Sequence, residues 1–266
     1  MSDQGEQSAG GVQSLDSALF LLAELAAKPG PVTLSELARS CGMTPSKSHR
    51  YLKSFLNAGF VEQAGQSAKY DLGPAALRLG LSAIARHNFV NRAADRMADL
   101  AGETGMSVLL SVWANHGATV VRWERAEAPT VTSMGLGSTM PLLNSATGRT
   151  FLAWSPRAPL QKTLDSELAR AQGWPDLVPD MTPTAEGVEA MVSDIRTRGY
   201  ASVQGYFVPG LVALAAPVLD WQGEAQTVIT LLGTDPDVTK PGSGAAADLL
   251  ATCRSLSFAP VGEAKI

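Results

Sequence analysis

The sequence has little of the chemistry that marks secreted or membrane-embedded proteins. Its 266 residues include only two cysteines, Cys41 and Cys253, which are far apart in the chain, so a disulfide framework is not expected. No apolar run reaches the roughly 20 residues of a membrane span, and the first 30 residues lack a basic start followed by an apolar stretch. We therefore expect a cytoplasmic protein.

Catalytic motifs are also missing. The sequence contains no Gly-x-Ser-x-Gly, His-Glu-x-x-His or Cys-x-x-Cys pattern, and Gly135-Leu136-Gly137 lacks the third glycine of a dinucleotide-binding loop. The three histidines, His49, His87 and His116, are scattered along the chain. We predict neither an enzyme nor a cofactor or metal site.

The net charge of −4 is unusual for a protein that binds DNA, but the charges are unevenly distributed. Residues 44–69 contain four cations and one anion, a net of +3, whereas residues 81–266 contain 14 cations and 18 anions, a net of −4. The basic patch is therefore local and small. A DNA-binding protein of this kind would need several copies acting together.

The most informative stretch is residues 33–59, where two helix starts occur close together. Thr33 with Glu36 matches a capping box, and apolar residues follow at helical spacing: Leu34, Leu37, Ala38 and Cys41. Gly42 suits a tight turn, and Thr44 before a proline suits the cap of a second helix. The pattern predicts a helix-turn-helix.

The second of these helices separates its side chains into two faces. The inward positions are Leu52, Phe55, Leu56 and Gly59, and the outward ones are Ser46, Arg50, Lys53 and Asn57, with Lys47 and Tyr51 beside them. Any solvated helix carries such polar residues, but the second helix of a helix-turn-helix enters the DNA major groove. We expect base-edge contacts from Ser46, Lys47 and Arg50, phosphate contacts from Tyr51, Lys53 and Lys69, and Thr44 among the DNA-binding residues at the helix start.

The flanking segments complete an N-terminal domain. Residues 1–11 have the composition of a disordered tail, and the segment before Lys28-Pro29-Gly30-Pro31 predicts a helix whose apolar face is Leu15, Ala18, Leu19, Leu22, Leu25 and Ala26. Strand patterns at 60–63 and 68–72 bracket a turn at 64–67 and predict a hairpin. The hairpin makes the predicted domain, residues 12–73, a winged helix-turn-helix.

At this point the chain resembles the IclR-type bacterial transcription regulators. The shared residues include Val12 to Ala18, Gly42-Met43, His49-Arg50-Tyr51-Leu52, Tyr70-Asp71-Leu72-Gly73, Arg198-Gly199-Tyr200, Val208-Pro209-Gly210 and Ala215-Ala216-Pro217-Val218. They extend over roughly residues 12–258. One departure is Pro45-Ser46-Lys47, where the family often has Lys-Ser-Thr. The resemblance implies a repressor more often than an activator, and a GAF-like effector-binding fold in the C-terminal part.

The remaining pattern predicts an α+β organisation of two domains. A linker helix is expected within 74–88, followed by a domain at 89–258 and a tail at 259–266. Within that domain we expect a helix at 90–104, strands at 107–113, 119–124, 201–206, 212–219 and 227–232, and helices near 146–154, 158–171, 185–198 and 244–256. The strands suggest a mainly antiparallel sheet with flanking helices.

A glycine-rich apolar loop at 132–143 leads into the helix near 146–154, which Asn144 or Ser145 can cap. The first turn of that helix has free backbone N–H groups that can bind a carboxylate, and the family resemblance implies an effector pocket beside this segment. The candidate effector-binding residues are Met134, Gly135, Leu136, Met140, Leu142, Asn144, Ser145, Ala146, Ala213 and Ala215.

The apolar residues of this candidate pocket favour an apolar or aromatic carboxylate as the effector, although the same residues also suit an ordinary core. Arg122 and Trp123 point to opposite faces of their predicted strand, so only one of them can reach the cavity.

We therefore predict a transcription regulator that binds double-stranded DNA at a pseudo-palindromic operator and forms a homodimer or homotetramer. Two alternatives remain open at the level of sequence. The C-terminal domain could be an enzyme, or the winged helix could be an architectural or protein-docking module.

Overall fold

The computed structural model describes residues 12–63, 67–126 and 134–258. The chain divides into two compact units between His87 and Asn88. The predicted tails at 1–11 and 259–266, most of the predicted hairpin turn and the first residues of the glycine-rich loop lie outside the described residues.

In its described residues, the first unit contains four helices and a small antiparallel sheet. Its elements are α1 Gln13–Ala26, β1 Val32–Thr33, α2 Leu34–Ser40, α3 Pro45–Ala58, β2 Val61–Gln63, β3 Lys69–Leu72 and α4 Pro74–Arg86. The strand order is β1-β3-β2. The helix-turn-helix and the hairpin strands are thus present as the sequence predicts.

Local chemistry explains how α2 and α3 begin. The Thr33 side chain accepts a hydrogen bond from the Glu36 N–H at 3.3 Å, while the Thr33 N–H donates to the Glu36 carboxylate at 2.8 Å. This capping box starts α2. The Thr44 side chain caps α3 by accepting the Lys47 N–H, and Pro45 occupies the first helical position, where no intrahelical hydrogen bond is lost.

The core of the first unit differs from the sequence prediction on α1. Leu21 and Leu25 are buried, whereas Leu15 and Leu19 are 54% and 51% exposed. Of the predicted apolar face, Leu25 is buried and Leu22 packs partly against the core. Leu21, which was not predicted to face inward, is also part of that core.

The second unit is an antiparallel sheet with helices on both faces. Its strands are β4 Ser107–Ala114, β5 Gly117–Glu124, β6 Thr139–Met140, β7 Ala201–Gln204, β8 Val212–Leu219 and β9 Ala225–Gly233, in the order β6-β5-β4-β9-β8-β7. Its α-helices are α5 Phe89–Ala94, α6 Met97–Thr104, α7 Ala146–Trp154, α8 Arg157–Gly173, α9 Ala185–Arg198 and α10 Gly244–Leu256, with short 3-10 helices at Pro175–Leu177 and Pro236–Thr239. The predicted α+β class is confirmed.

Alternating side chains of the central strands build two separate cores. Leu109, Ala213 and Leu232 pack with residues of α7, α8 and α9. Their neighbours Leu110, Leu214 and Leu231 pack on the other face with α5, α6 and α10. This alternation is the period-two pattern of strands that are covered on both sides.

Two predictions about elements in this unit were wrong, and one short strand was missed. The single helix expected at 90–104 is two helices, because the N–H of Arg96 bonds to the carbonyl of Ala93 in a tighter turn. The strand expected at 201–206 ends at Gln204, where Gly205 has a φ of 71° and closes a turn with Leu211. The two-residue strand β6 was not predicted, because so short a strand has no alternation to detect.

Within the described residues, no helix is long and apolar enough to cross a bilayer. The same residues contain no cluster of three or more His, Cys, Asp or Glu side chains suited to a metal ion. Cys41 and Cys253 are both free thiols.

Candidate functional site

The exposed face of α3 presents a compact polar surface. Ser46, Arg50, Lys53 and Asn57 are exposed, and Leu52 on the opposite side is fully buried. In the described part of the chain, none of the ion pairs involves Arg50 or Lys53. The two cations are therefore available to an anionic partner.

Lys47 and Tyr51 lie beside this face and are more constrained. The Lys47 ammonium donates a hydrogen bond to the Ser17 hydroxyl of α1 at 3.3 Å, and it lies 5.8 Å from the centre of the Tyr51 ring. Lys47 thus connects α3 to α1. A contact with a base edge would require it to leave this hydrogen bond.

Thr44 and Lys69 occupy different elements. The Thr44 hydroxyl accepts the Lys47 N–H at 3.3 Å as the α3 cap, so its side chain has a structural role. Lys69 is exposed at the start of β3, where it pairs with Thr33 of β1. It carries the only charge on the described hairpin strands that suits phosphate.

In the second unit, a small cavity lies between the start of α7 and the sheet. Its volume is about 30 Å³ and its lining is almost entirely apolar. The lining residues are Leu109, Met134, Met140, Ser145, Ala146, Thr147, Val203, Gly205, Tyr206, Phe207, Val208, Leu211, Ala213, Thr230 and Leu232. We call this space the first cavity.

Polar groups reach the first cavity at one end. The hydroxyls of Thr147 and Thr230 lie 2.8 Å apart and form a buried hydrogen bond in which either can be the donor. Ser145 caps α7 by accepting the Gly148 N–H at 2.9 Å. Ala146 and Thr147 belong to the first turn of α7, whose backbone N–H groups have no intrahelical acceptor.

The structure brings some of the predicted effector-binding residues together and separates others. Met134, Met140, Ser145, Ala146 and Ala213 line the first cavity. Leu142 and Asn144 line a neighbouring cavity instead, and Leu136 is 68% exposed beside Gly135. Ala215 is fully buried, and its carbonyl accepts the Thr150 hydroxyl at 3.0 Å. Trp123 packs against the same core as the cavity residues, whereas Arg122 is exposed, and neither residue is part of the lining.

The sequence reasoning missed several lining residues, among them Thr147, Tyr206, Phe207, Thr230 and Leu232. Thr230 and Leu232 lie on β9, opposite Ala215 and Ala213 of β8. Their strand was predicted, but its register was not, so their position beside Ala213 could not be read from the sequence. Tyr206, which was predicted as the last residue of a strand, and Phe207, which lies outside that predicted strand, follow Gly205 in a loop.

A second, larger cavity lies beside the first, and the loop residues Tyr206 and Phe207 line both. It has a volume of about 390 Å³ and a mixed polar and apolar lining. The lining residues are Trp113, His116, Gly117, Thr139, Met140, Pro141, Leu142, Leu143, Asn144, Thr163, Glu167, Arg170, Ala171, Leu177, Val178, Tyr206 and Phe207. We call this space the second cavity.

Two side chains of the second cavity have unusual environments. The Glu167 carboxylate accepts the N–H groups of Leu142 and Leu143, each at 2.9 Å. Burial nevertheless raises the pKa of Glu167, and these hydrogen bonds only partly oppose the rise. The Oδ1 atom of Asn144 is buried and has no hydrogen-bond partner among the described residues.

A buried arginine supports the segment between the two cavities. Arg149 of α7 forms two hydrogen bonds with the Asp180 carboxylate, at 2.6 and 2.7 Å, and its Nε donates to the Leu143 carbonyl at 2.7 Å. Its guanidinium lies 5.5 Å from the centre of the Tyr206 ring. Burial, with the nearby Asp180 charge, raises the pKa of Tyr206.

The first turn of α7 packs directly on the loop before it. A Cβ atom at Gly148 would overlap the carbonyl oxygen of Pro141. Only glycine therefore lets the helix approach the Pro141–Leu142 backbone, which also positions Leu142 and Leu143 to bind Glu167.

Comparison with known proteins gives matches to both units. Residues 14–65 match the IclR helix-turn-helix domain, and residues 81–258 match the domain described as bacterial transcriptional regulator IclR C-terminal. The HTH-type transcriptional regulator BhcR of Paracoccus denitrificans is 31% identical over 257 residues, which cover 96% of this chain and 89% of the relative. The transcriptional repressor IclR of Escherichia coli is 28% identical over 241 residues, covering 88% and 86% of the two chains. The crystal structure of Pseudomonas aeruginosa HmgR has a TM-score of 0.82 and 33% identity, and the match covers 96% of this chain and all (100%) of that one.

Proposed function

Because the chain belongs to the IclR family of bacterial transcriptional regulators, with a DNA-binding helix-turn-helix domain and a C-terminal effector-binding domain, we propose that it is a repressor controlled by an apolar or aromatic carboxylate. The observation that carries this proposal is the pairing of an exposed cationic face on α3 with an apolar cavity at the start of α7. We place the functional domains at residues 12–73 and 89–258, joined by a linker at 74–88.

The DNA contacts are assigned to the exposed face of α3 and to the hairpin. Ser46 and Arg50 are positioned to reach base edges in the major groove, with Lys47 joining them once it releases Ser17. Tyr51, Lys53 and Lys69 contact phosphate, and Thr44 holds the start of the helix.

The effector site is assigned to the start of α7 and the facing strands. The free N–H groups of its first turn and the positive end of the helix dipole attract a carboxylate. Met134, Met140 and Ala213 contact the apolar part of the acid. Because an effector shifts an equilibrium only by its differential affinity for two states, the acid must bind the DNA-free arrangement more tightly.

Self-association is assigned to α4. No residue of this helix is buried, although Leu77, Leu81 and Ile84 on one face are 65%, 55% and 37% exposed. Apolar residues at this helical spacing are typical of a helix that packs against a partner. A homodimer or homotetramer formed through this face would present the helix-turn-helix in pairs to a pseudo-palindromic operator.

A gel-shift experiment on the DNA upstream of the protein's own gene tests the proposal. We expect a discrete complex that survives competition by unrelated DNA and that aromatic acids dissociate. Weak binding with no preference for the upstream DNA and no effect of acids would instead favour an architectural winged helix. Chemical conversion of a bound acid, followed by chromatography, would favour an enzyme.

A further inference from the structure

The first cavity is too small for the ligand that its lining favours. Its volume of about 30 Å³ is roughly that of one water molecule, whereas pockets for small molecules measure roughly 300–1,000 Å³. The second cavity, at about 390 Å³, has the right size but a more polar lining. Neither cavity alone suits an apolar acid.

The two cavities are adjacent and share part of their lining. Met140, Tyr206 and Phe207 line both. Tyr206 and Phe207 are only half-buried, and they lie between Gly205 and Gly210, whose φ angles are 71° and 79°. The base of this loop is held by the Gly205 N–H bonded to the Leu211 carbonyl at 2.7 Å. A displacement of these two side chains would join the two cavities without breaking that hydrogen bond.

The second cavity contains groups that suit a carboxylate. Among the described residues, Arg170 is the one arginine or lysine of the lining, and its side chain is exposed to solvent. The negative charge of Glu167 is already directed to two backbone N–H groups. The NH2 group of Asn144 can donate a hydrogen bond to a carboxylate. The buried Oδ1 of Asn144 has no partner among the described residues, but as an acceptor it does not bind the carboxylate itself.

We propose that the effector is an elongated, amphiphilic monocarboxylic acid that occupies both cavities. Its carboxylate lies in the second cavity, against the Arg170 guanidinium and the Asn144 NH2 group, and not at the first turn of α7, where the proposed function alone would place it. Its apolar tail displaces the Tyr206 and Phe207 side chains and extends into the first cavity, which this displacement enlarges, beside Ala213. This inference rests on the proposed function, because it specifies the acid that the effector domain binds.

Calorimetry on the full-length protein with two phenyl acids of different length tests the inference. Benzoate carries its carboxylate directly on the ring, whereas the chain of 5-phenylpentanoate lets the ring extend away from the carboxylate, past Tyr206 and Phe207. We expect the long acid to bind at least tenfold more tightly than benzoate, because only its tail gains apolar contacts in the first cavity.

Variants of each cavity separate the two binding regions. Arg170→Ala should weaken both acids at least tenfold, while Lys162→Ala, which removes an exposed cation from the same helix outside the lining, should leave both affinities unchanged. Ala213→Phe fills the first cavity and should weaken only the long acid. If that variant does not fold, Ala213→Val should give a smaller loss in the same direction.

The outcomes distinguish this inference from the proposed function. If Arg170→Ala binds both acids as the wild type does and Ala213→Phe loses both, the acid lies in an expanded first cavity; the inference is then wrong and the proposed function stands. Failure of the wild type to bind either acid overturns both.

Discussion

Among the described residues, Arg149 is the one charged residue that is buried, with 2% of its surface exposed. Its partner Asp180 has a side chain that is 36% exposed. Removing the partner of a buried charge is costly because the remaining charge stays uncompensated. We predict that Asp180→Ala lowers the free energy of unfolding by about 3 kcal/mol, measured by urea titration.

Asp194 provides the matched control. It pairs with Arg198 at 2.5 Å, but its side chain is 61% exposed, and surface pairs contribute only about 0–1 kcal/mol. Equal losses from Asp180→Ala and Asp194→Ala would show that the Arg149 pair has no special structural importance.

Gly148 allows a second prediction at the scale of one residue. Its missing side chain lets α7 contact Pro141, so Gly148→Ala must displace backbone. We expect it to destabilise the C-terminal domain by more than about 3 kcal/mol, in the range of severe packing changes. Gly102 in α6 has open space around it, and Gly102→Ala should instead stabilise by about 0.5–1 kcal/mol. Thermal unfolding of both variants, followed by circular dichroism, provides the comparison.

The raised pKa of Glu167 predicts a dependence of stability on pH. Burial favours the protonated carboxyl in the folded state relative to the unfolded one, so the folded protein loses stability as pH rises through the raised pKa. The variant Glu167→Gln has no carboxyl group that titrates at this position. The stability of the wild type relative to that variant should therefore fall as pH rises above 4.5, the ordinary value for the group. Urea titrations of both proteins from about pH 4 to pH 8 measure the difference, and a constant difference would contradict a pKa raised by burial.

At the scale of elements, α3 is the helix to which we assign the recognition of DNA bases. Arg50 is exposed on α3 and has no ion-pair partner in the described chain. If Arg50 binds a guanine through two hydrogen bonds, Arg50→Ala should weaken operator binding by about 1–3 kcal/mol and relax specificity at one position of each half-site. Arg254→Ala, which removes an exposed arginine from α10, serves as the control in the same footprinting assay. An unchanged footprint for Arg50→Ala would remove Arg50 from the interface.

Elements with strong local signals were predictable from the sequence. The bounds of α7, α9, α10 and β8 agree with the predicted ones at both ends, because caps such as Ser145 and turns such as Gly199 mark them locally. The break at Arg96 has no such signal. It depends on how two short helices pack onto the sheet, through Ala93 and Met97.

The residues that line the cavities were less predictable, because many of them meet only through contacts between distant parts of the chain. Ser145 and Ala146 were selected because they begin a helix after a glycine-rich loop, which is a local feature. Thr230 reaches the same cavity through the pairing of β8 with β9, and Arg170 reaches the second cavity from α8. Contacts between residues that are distant in the chain depend on strand register and helix packing, which a single sequence does not specify.

At the scale of the whole molecule, the net charge and the exposed apolar surface both support the proposed self-association. A local net charge of +3 in a chain of net −4 supports only weak binding to DNA by one subunit, so two or more copies are needed for a stable complex. The exposed leucines of α4 are the surface to which we assign the association.

Substitutions of two leucines of α4 distinguish association through one helix face from a general effect of an added charge. Leu81 shares a helix face with Leu77 and Ile84, whereas Leu79, 62% exposed, lies on nearly the opposite side at about 100° per residue. Leu81→Asp places a charge in the proposed interface and should shift the protein toward monomer in sedimentation velocity, with a parallel loss of operator binding. Leu79→Asp introduces the same charge on the other face and should leave both properties unchanged. If Leu79→Asp dissociates the protein and Leu81→Asp does not, the copies associate through the opposite face of α4. The pairing of two α3 helices on the operator would then depend on the Leu79 face of α4.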